Sequence, residues 1–128
     1  MKIQLDDENN STAYVAGRIF AVLENIQNAA LGDKLNAPIR DRFFSFASTN
    51  PAPAFGRLLK LSQHHLSKLR NEKPGLAVNL DKLLGELFCR VQEFPALFRL
   101  EEQAQFAIGY YHQRQENFTK NETKNEIK

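Results

Sequence analysis

Arg57, Lys60, His64 and Lys68 recur at spacings of three and four residues. In a helix turning about 100° per residue they fall within an arc of about 80°. Cations one turn apart can each meet a phosphate, and neutralising several phosphates releases counterions. A ridge of this kind favours salt-sensitive binding to a nucleic-acid backbone with little regard for base sequence. No acid interrupts it, whereas Lys82 and Glu86 stand four residues apart, as on an ordinary solvated face. Arg40, Arg42, Arg70 and Lys73 lie just before or after and widen the path. The competing reading is a solvated helix face with no ligand.

Charge distribution supports a localised anionic partner. The 128 residues carry a net charge of +2. Residues 38–73 hold seven Lys/Arg against Asp41 and Glu72, giving +5, whereas residues 1–10 give −2, residues 11–37 balance and residues 74–128 give −1. A basic segment in a nearly neutral chain points to one binding face rather than a generally adhesive surface.

Other residue types offer less. His64 and His65 are adjacent, so they point about 100° apart on a helix and cannot share a metal; no metal site and no cofactor are expected. Cys89 is the only cysteine, which excludes an internal disulfide and a cysteine-based zinc site, and it is expected to be an unreactive thiol. Gly109, Tyr110, Tyr111, His112 and Arg114 combine rings with a guanidinium that could hold an unpaired base, although Gly109 is expected to permit close helix packing and Tyr111 to be buried. There is no Gly-rich phosphate loop, HExxH or GxSxG motif, so a catalytic role is not expected. The acidic N-terminus is unlike a secretion signal and no apolar run approaches the ~20 residues of a membrane span, so a soluble, cytoplasmic protein is expected.

These residues need helices to position them, and the chain shows helical periodicity with no strand alternation. Val15, Ile19, Val22, Leu23, Ile26 and Ala30 mark an amphipathic helix over 12–30, capped by Asn10 or Ser11. A shorter helix from Asn36 and Pro38 to about Ala47 has Ile39, Phe43 and Phe46 inside, with Phe44 pointing elsewhere. Pro51 opens a third helix to about Asn71, which buries Phe55, Leu58, Leu59, Leu66 and Leu69 and stops at Lys73, Pro74 and Gly75. Asn79 is expected to cap a fourth, running through Leu80, Leu83, Leu84, Leu87, Val91 and Phe94 to Pro95. A fifth begins near Glu101 and runs to about Asn117, burying Ala104, Ala107, Ile108 and Tyr111. The expected fold is an all-α, single-domain antiparallel bundle of about five helices over 11–118. Residues 1–10 are expected to be a flexible lead and 119–128 a polar, disordered tail.

Several strings resemble one known family in order. The run IRDRFFSFASTNPAPAFGRLLKLSQHHLSKLRNEKPGLAVNL, with GRIFAVLE before it and GYYHQRQENF after it, is similar to the C-terminal region of the large subunit of type I-C CRISPR Cascade complexes. The resemblance spans about residues 13–118, and LSQHHLSKL and GYYHQR are its most specific motifs. In that family this helical region is also made as a separate small subunit from an internal start, and Met1 just ahead of the helices fits such a product. The resemblance implies a non-catalytic subunit lining the belly of a guide-RNA surveillance complex. Its expected partners are the large and backbone subunits, guide RNA, the target and displaced DNA strands, and a second copy of itself. Sequence recognition would fall to guide pairing and to the large subunit's N-terminal portion, which is expected to be absent here. The alternative is a structural assembly module whose ridge meets an acidic protein. Phe44 and Tyr110, apolar but off their helices' main stripes, are then the interface anchors.

Overall fold

A computed structural model describes the backbone over residues 5–127 and the side chains over 5–118. The described residues form an all-α bundle with no strand: α1 (Thr12–Leu31), a single 3-10 turn (Gly32–Lys34), α2 (Ile39–Thr49), α3 (Pro51–Glu72), α4 (Pro74–Phe88) and α5 (Leu100–Ile127). None of these helices is long and apolar enough to cross a membrane.

α1 is the axis of the bundle. Its sequence suggests one apolar stripe, yet every residue from Ala13 to Leu23 is buried. Ala13, Ala16, Gly17 and Ala21 let neighbours approach on the sides the stripe does not cover, so α2, α3, α4 and α5 all pack on it. Two polar side chains are enclosed with it and both are satisfied, as buried polar groups must be. Arg18 Nε donates to Gln113 Oε1 at 2.9 Å. Gln27 Oε1 accepts the Ile39 N–H at 2.9 Å, and its amide donates to the Ala37 carbonyl at 3.2 Å, so α1 supplies the missing partner at the start of α2.

Single residues, Asn50 and Lys73, separate α2 from α3 and α3 from α4. Pro51 and Pro74 begin the helices that follow, since proline lacks a donor that the first helical position does not need. The expected start of α4 at Asn79 is therefore corrected to Pro74: the Lys73, Pro74, Gly75 signal that stops α3 also starts α4. At the other end α4 stops at Phe88, short of the expected Pro95. Val91 and Phe94 lie on an irregular segment, where Phe94 stacks on Phe55 with ring centroids 4.6 Å apart. That segment is fastened to the α2–α3 corner by Ala52 N–H to the Pro95 carbonyl at 3.1 Å and Phe98 N–H to the Thr49 carbonyl at 2.9 Å. Glu102 then accepts the Arg99 N–H at 2.9 Å and caps α5.

The inner face of α5 is not the one its apolar residues suggest. Phe106, Gly109, Tyr110 and Gln113 are buried, while Ala104, Ile108 and Tyr111 are exposed and Ala107 is half-buried. Glycine decides this. A Cβ on Gly109 would strike the Tyr14 backbone carbonyl, and one on Gly17 would strike that of Phe106. The two helices thus cross backbone to backbone, and the expectation that Gly109 permits close packing is met. The backbone of α5 continues to Ile127, beyond the expected end near Asn117; the side chains of the expected tail, residues 119–128, lie outside the described residues. Of the expected flexible lead, residues 1–4 lie outside them too, whereas Asp6 N–H donates to the Tyr14 hydroxyl at 2.9 Å and Asp7 bridges Arg18 and Arg90.

Gly109→Ala is expected to destabilise the protein by at least about 3 kcal/mol, because two backbones must part. Gly85→Ala, with open space around its Cβ position in the interior of α4, is expected to stabilise by about 0.5–1 kcal/mol. Urea denaturation of both variants gives the comparison.

Candidate nucleic-acid interface

The sequence of α3 sorts its side chains cleanly. Pro51, Ala54, Phe55, Leu58, Ser62, Leu66 and Leu69 are buried. Arg57, Lys60 and His64 are exposed on the other side and Lys68 is half-buried. From Arg57 to Lys68 the ridge runs about 16 Å at 1.5 Å per residue. Among the described residues no carboxylate lies within 4 Å of Arg57, Lys60 or Lys68. Their charge is therefore not neutralised by an ion pair within the described fold.

The flanking cations are disposed differently. Arg70 pairs with Asp81 of α4 at 3.6 Å, and Lys73 forms the exposed α3–α4 junction. Arg42 lies over the Phe43 ring at 5.3 Å. Arg40 donates to the Tyr111 hydroxyl at 2.9 Å and lies 5.7 Å from the ring centroids of both Tyr110 and Tyr111. The structure thus gathers Arg57, Lys60, His64 and Lys68 on one face, ties Arg40 to α5 and gives Arg70 an acidic partner.

His65 sits half-buried at the edge of the apolar stripe, its ring 6.2 Å from that of His64. Burial, with the His64 and Lys68 charges adding, lowers its pKa below the ordinary 6.5. Among the described residues there is no cluster of three metal-ligating groups. Cys89 is free and exposed.

Of the two expected interface anchors, Tyr110 belongs to the core and Phe44 is half-buried against it. Tyr110 is fully buried, and its hydroxyl donates to Glu24 at 2.7 Å. Burial and the Glu24 carboxylate raise its pKa, so the phenol stays protonated. Phe44 fills the space between α1, α2 and α5, with ring centroids 5.5, 5.3 and 5.1 Å from Phe20, Phe106 and Tyr110. Tyr111, expected inside, is 43% exposed, as is Ile108, and Leu100 is 80% exposed. The apolar face that α5 shows to solvent is therefore the one its sequence pattern suggests as buried.

The polar seam between α1 and α5 escapes a reading of single helices. Tyr14 pairs with His112 Nδ1 at 2.8 Å, Arg18 with Gln113, and Glu24 with Tyr110 and, at 3.8 Å, Arg114. These partners are more than eighty positions apart, and the available hint was the polar character of Arg18 and Glu24 within an apolar helix.

The family model for CRISPR-associated protein (Cas_Csd1) matches residues 1–118. The chain belongs to the Cas_Csd1 family. No curated protein matches it. Membership supports a component of a Cascade-like CRISPR complex, which is the setting in which the basic face of this Cas_Csd1 chain is to be understood.

Because His65 is held neutral, its contribution to stability is present above pH 6.5 and is lost as pH falls below it, where the unfolded chain takes up the proton first. The melting temperature is expected to drop between about pH 7.5 and pH 5.5, and His65→Asn to remove part of that drop. Calorimetry across a pH series measures both.

Proposed function

We propose that the chain is the non-catalytic small subunit of a type I-C Cascade, lining the belly of the complex and steadying target and displaced DNA strands while bridging other subunits. The observation that carries this reading is the α3 ridge: four basic or titratable side chains on one exposed face, without acidic partners, opposite a fully buried stripe. Such a face gains most from a polyanion, and it holds backbone rather than reading bases. Arg57, Lys60 and Lys68 contact phosphates in this scheme and His64 adds a hydrogen bond. Lys73 and Arg42 extend the path; Arg70 and Arg40 join it only if their contacts to Asp81 and Tyr111 give way. Guide pairing supplies the specificity, and the protein acts in the cytoplasm with guide RNA, DNA, the large subunit, backbone subunits and a second copy of itself.

A triple Arg57→Ala, Lys60→Ala, Lys68→Ala variant is expected to fold and assemble. Its complex should bind DNA more weakly, with the salt slope reduced by about 0.7–0.9 for each phosphate that is no longer neutralised. Equal DNA affinity for the variant and wild-type complexes in a salt titration would refute the role given to the ridge.

A second reading, a structural assembly module, rests on a different surface from the one the sequence suggests. Leu100, Ala104, Ile108 and Tyr111 form an exposed apolar row on α5, the kind of face another subunit covers. Leu100→Glu with Ile108→Glu should leave the isolated chain folded yet prevent co-purification with the large and backbone subunits. Incorporation at wild-type level would remove this reading.

A further inference from the structure

Arg18 is a cation enclosed in the protein. Only 3% of its side chain is exposed. Gln113 fixes its Nε at 2.9 Å, and its NH1 reaches Asp7 Oδ1 at 3.3 Å. Arg90, from the segment after α4, brings NH2 to the same oxygen at 3.2 Å and NH1 to the Asp7 carbonyl at 2.8 Å. Two guanidinium groups from separate parts of the fold therefore converge on one carboxylate oxygen.

The anion they share is held by little else. Asp7 lies on the strap that precedes α1, its side chain is 70% exposed, and no other carboxylate stands within 4 Å of either guanidinium among the described residues. Enclosed cations are normally compensated by groups equally well packed. Arg90, first, and Arg18 hold the Asp7 carboxyl below its usual pKa, so it is fully ionised at neutral pH. Two planar forks also present more donors than one carboxylate oxygen uses, and they match the several oxygens of a phosphate group. Asp7 meets the pair from the solvent side, its side chain being 70% exposed and that of Arg90 28% exposed. Beside it stands the Tyr14 hydroxyl, which already accepts the Asp6 N–H at 2.9 Å.

We propose that Arg18 and Arg90 form a phosphate-binding site, occupied in the free chain by Asp7 acting as a tethered stand-in that a phosphate group displaces. That the phosphate belongs to a nucleic-acid strand rests on the function proposed above; the site itself does not, since neither arginine lies on α3. A merely structural Asp7 bridge makes a different prediction, because removing it would then cost stability and add no binding.

Asp7→Asn in the full chain provides the test, with inorganic phosphate and a fluorescent oligothymidylate as probes. Phosphate is expected to shift the Arg18 and Arg90 Nε signals of the labelled variant and to raise its melting temperature. The wild type should need about tenfold more phosphate, because its site is open only a small fraction of the time. Arg90→Gln in the Asp7→Asn background should cancel the gain. A variant that melts lower, with no phosphate shift and no phosphate stabilisation, would overturn the proposal. A parallel gain on oligothymidylate assigns the phosphate to a strand, whereas a gain on inorganic phosphate alone upholds the site for a free phosphate. The α3 triple variant separates the two ideas: if the ridge is not a binding face its oligothymidylate affinity stays at wild type, while the phosphate response of Asp7→Asn stands or falls independently.

Discussion

The bundle depends on a backbone contact. Gly17 and Gly109 let α1 and α5 cross so closely that a methyl group on either would meet the other helix's carbonyl. That crossing sets which face of α5 is inside, and with it the position of Phe106, Tyr110 and Gln113. Phe44 then fits among Phe20, Phe106 and Tyr110, bringing α2 against the same seam. Around the aromatic cluster, the seam is completed by hydrogen bonds between its buried polar side chains. Arg18 meets Gln113, Tyr14 meets His112 and Tyr110 meets Glu24.

This close crossing has a consequence for the outer surface. With α5 turned by its glycine, Leu100, Ile108 and Tyr111 face outward, so the protein carries one apolar face on α5 and one basic face on α3. Apolar faces suit protein neighbours, and unpaired cations suit polyanions. The two roles proposed for this member of the Cas_Csd1 family, bridging subunits and holding a strand, would draw on different helices.

Internal charge is arranged along the same lines. Arg57, Lys60 and Lys68 of α3 have no acidic partner among the described residues, whereas Arg18 is enclosed and depends on Asp7, and Glu24 is screened by Tyr110 and Arg114. Desolvated charges must be matched by partners, and solvated ones need not be. The enclosed pairs therefore specify how α1, α5 and the leading strap fit together.

Helix number, the extents of α1 and α3, and the composition of the α3 ridge were all determined by sequence alone, because apolar periodicity and proline or glycine punctuation are local properties. A CRISPR-associated family was legible for a related reason: the strings that carry the resemblance, LSQHHLSKL and GYYHQR, are contiguous. Only the tertiary structure decided the inner face of α5, the start of α4 at Pro74, the burial of Tyr110, the packing of Phe44 against it, and the meeting of Asp7, Arg18 and Arg90. Ala104, Ala107, Ile108 and Tyr111 make as good an apolar stripe as the one that is used. The choice between them was made by the contact of Gly109 with Tyr14, residues far apart in the chain, and periodicity within one helix carries no information about the shape of the helix it meets.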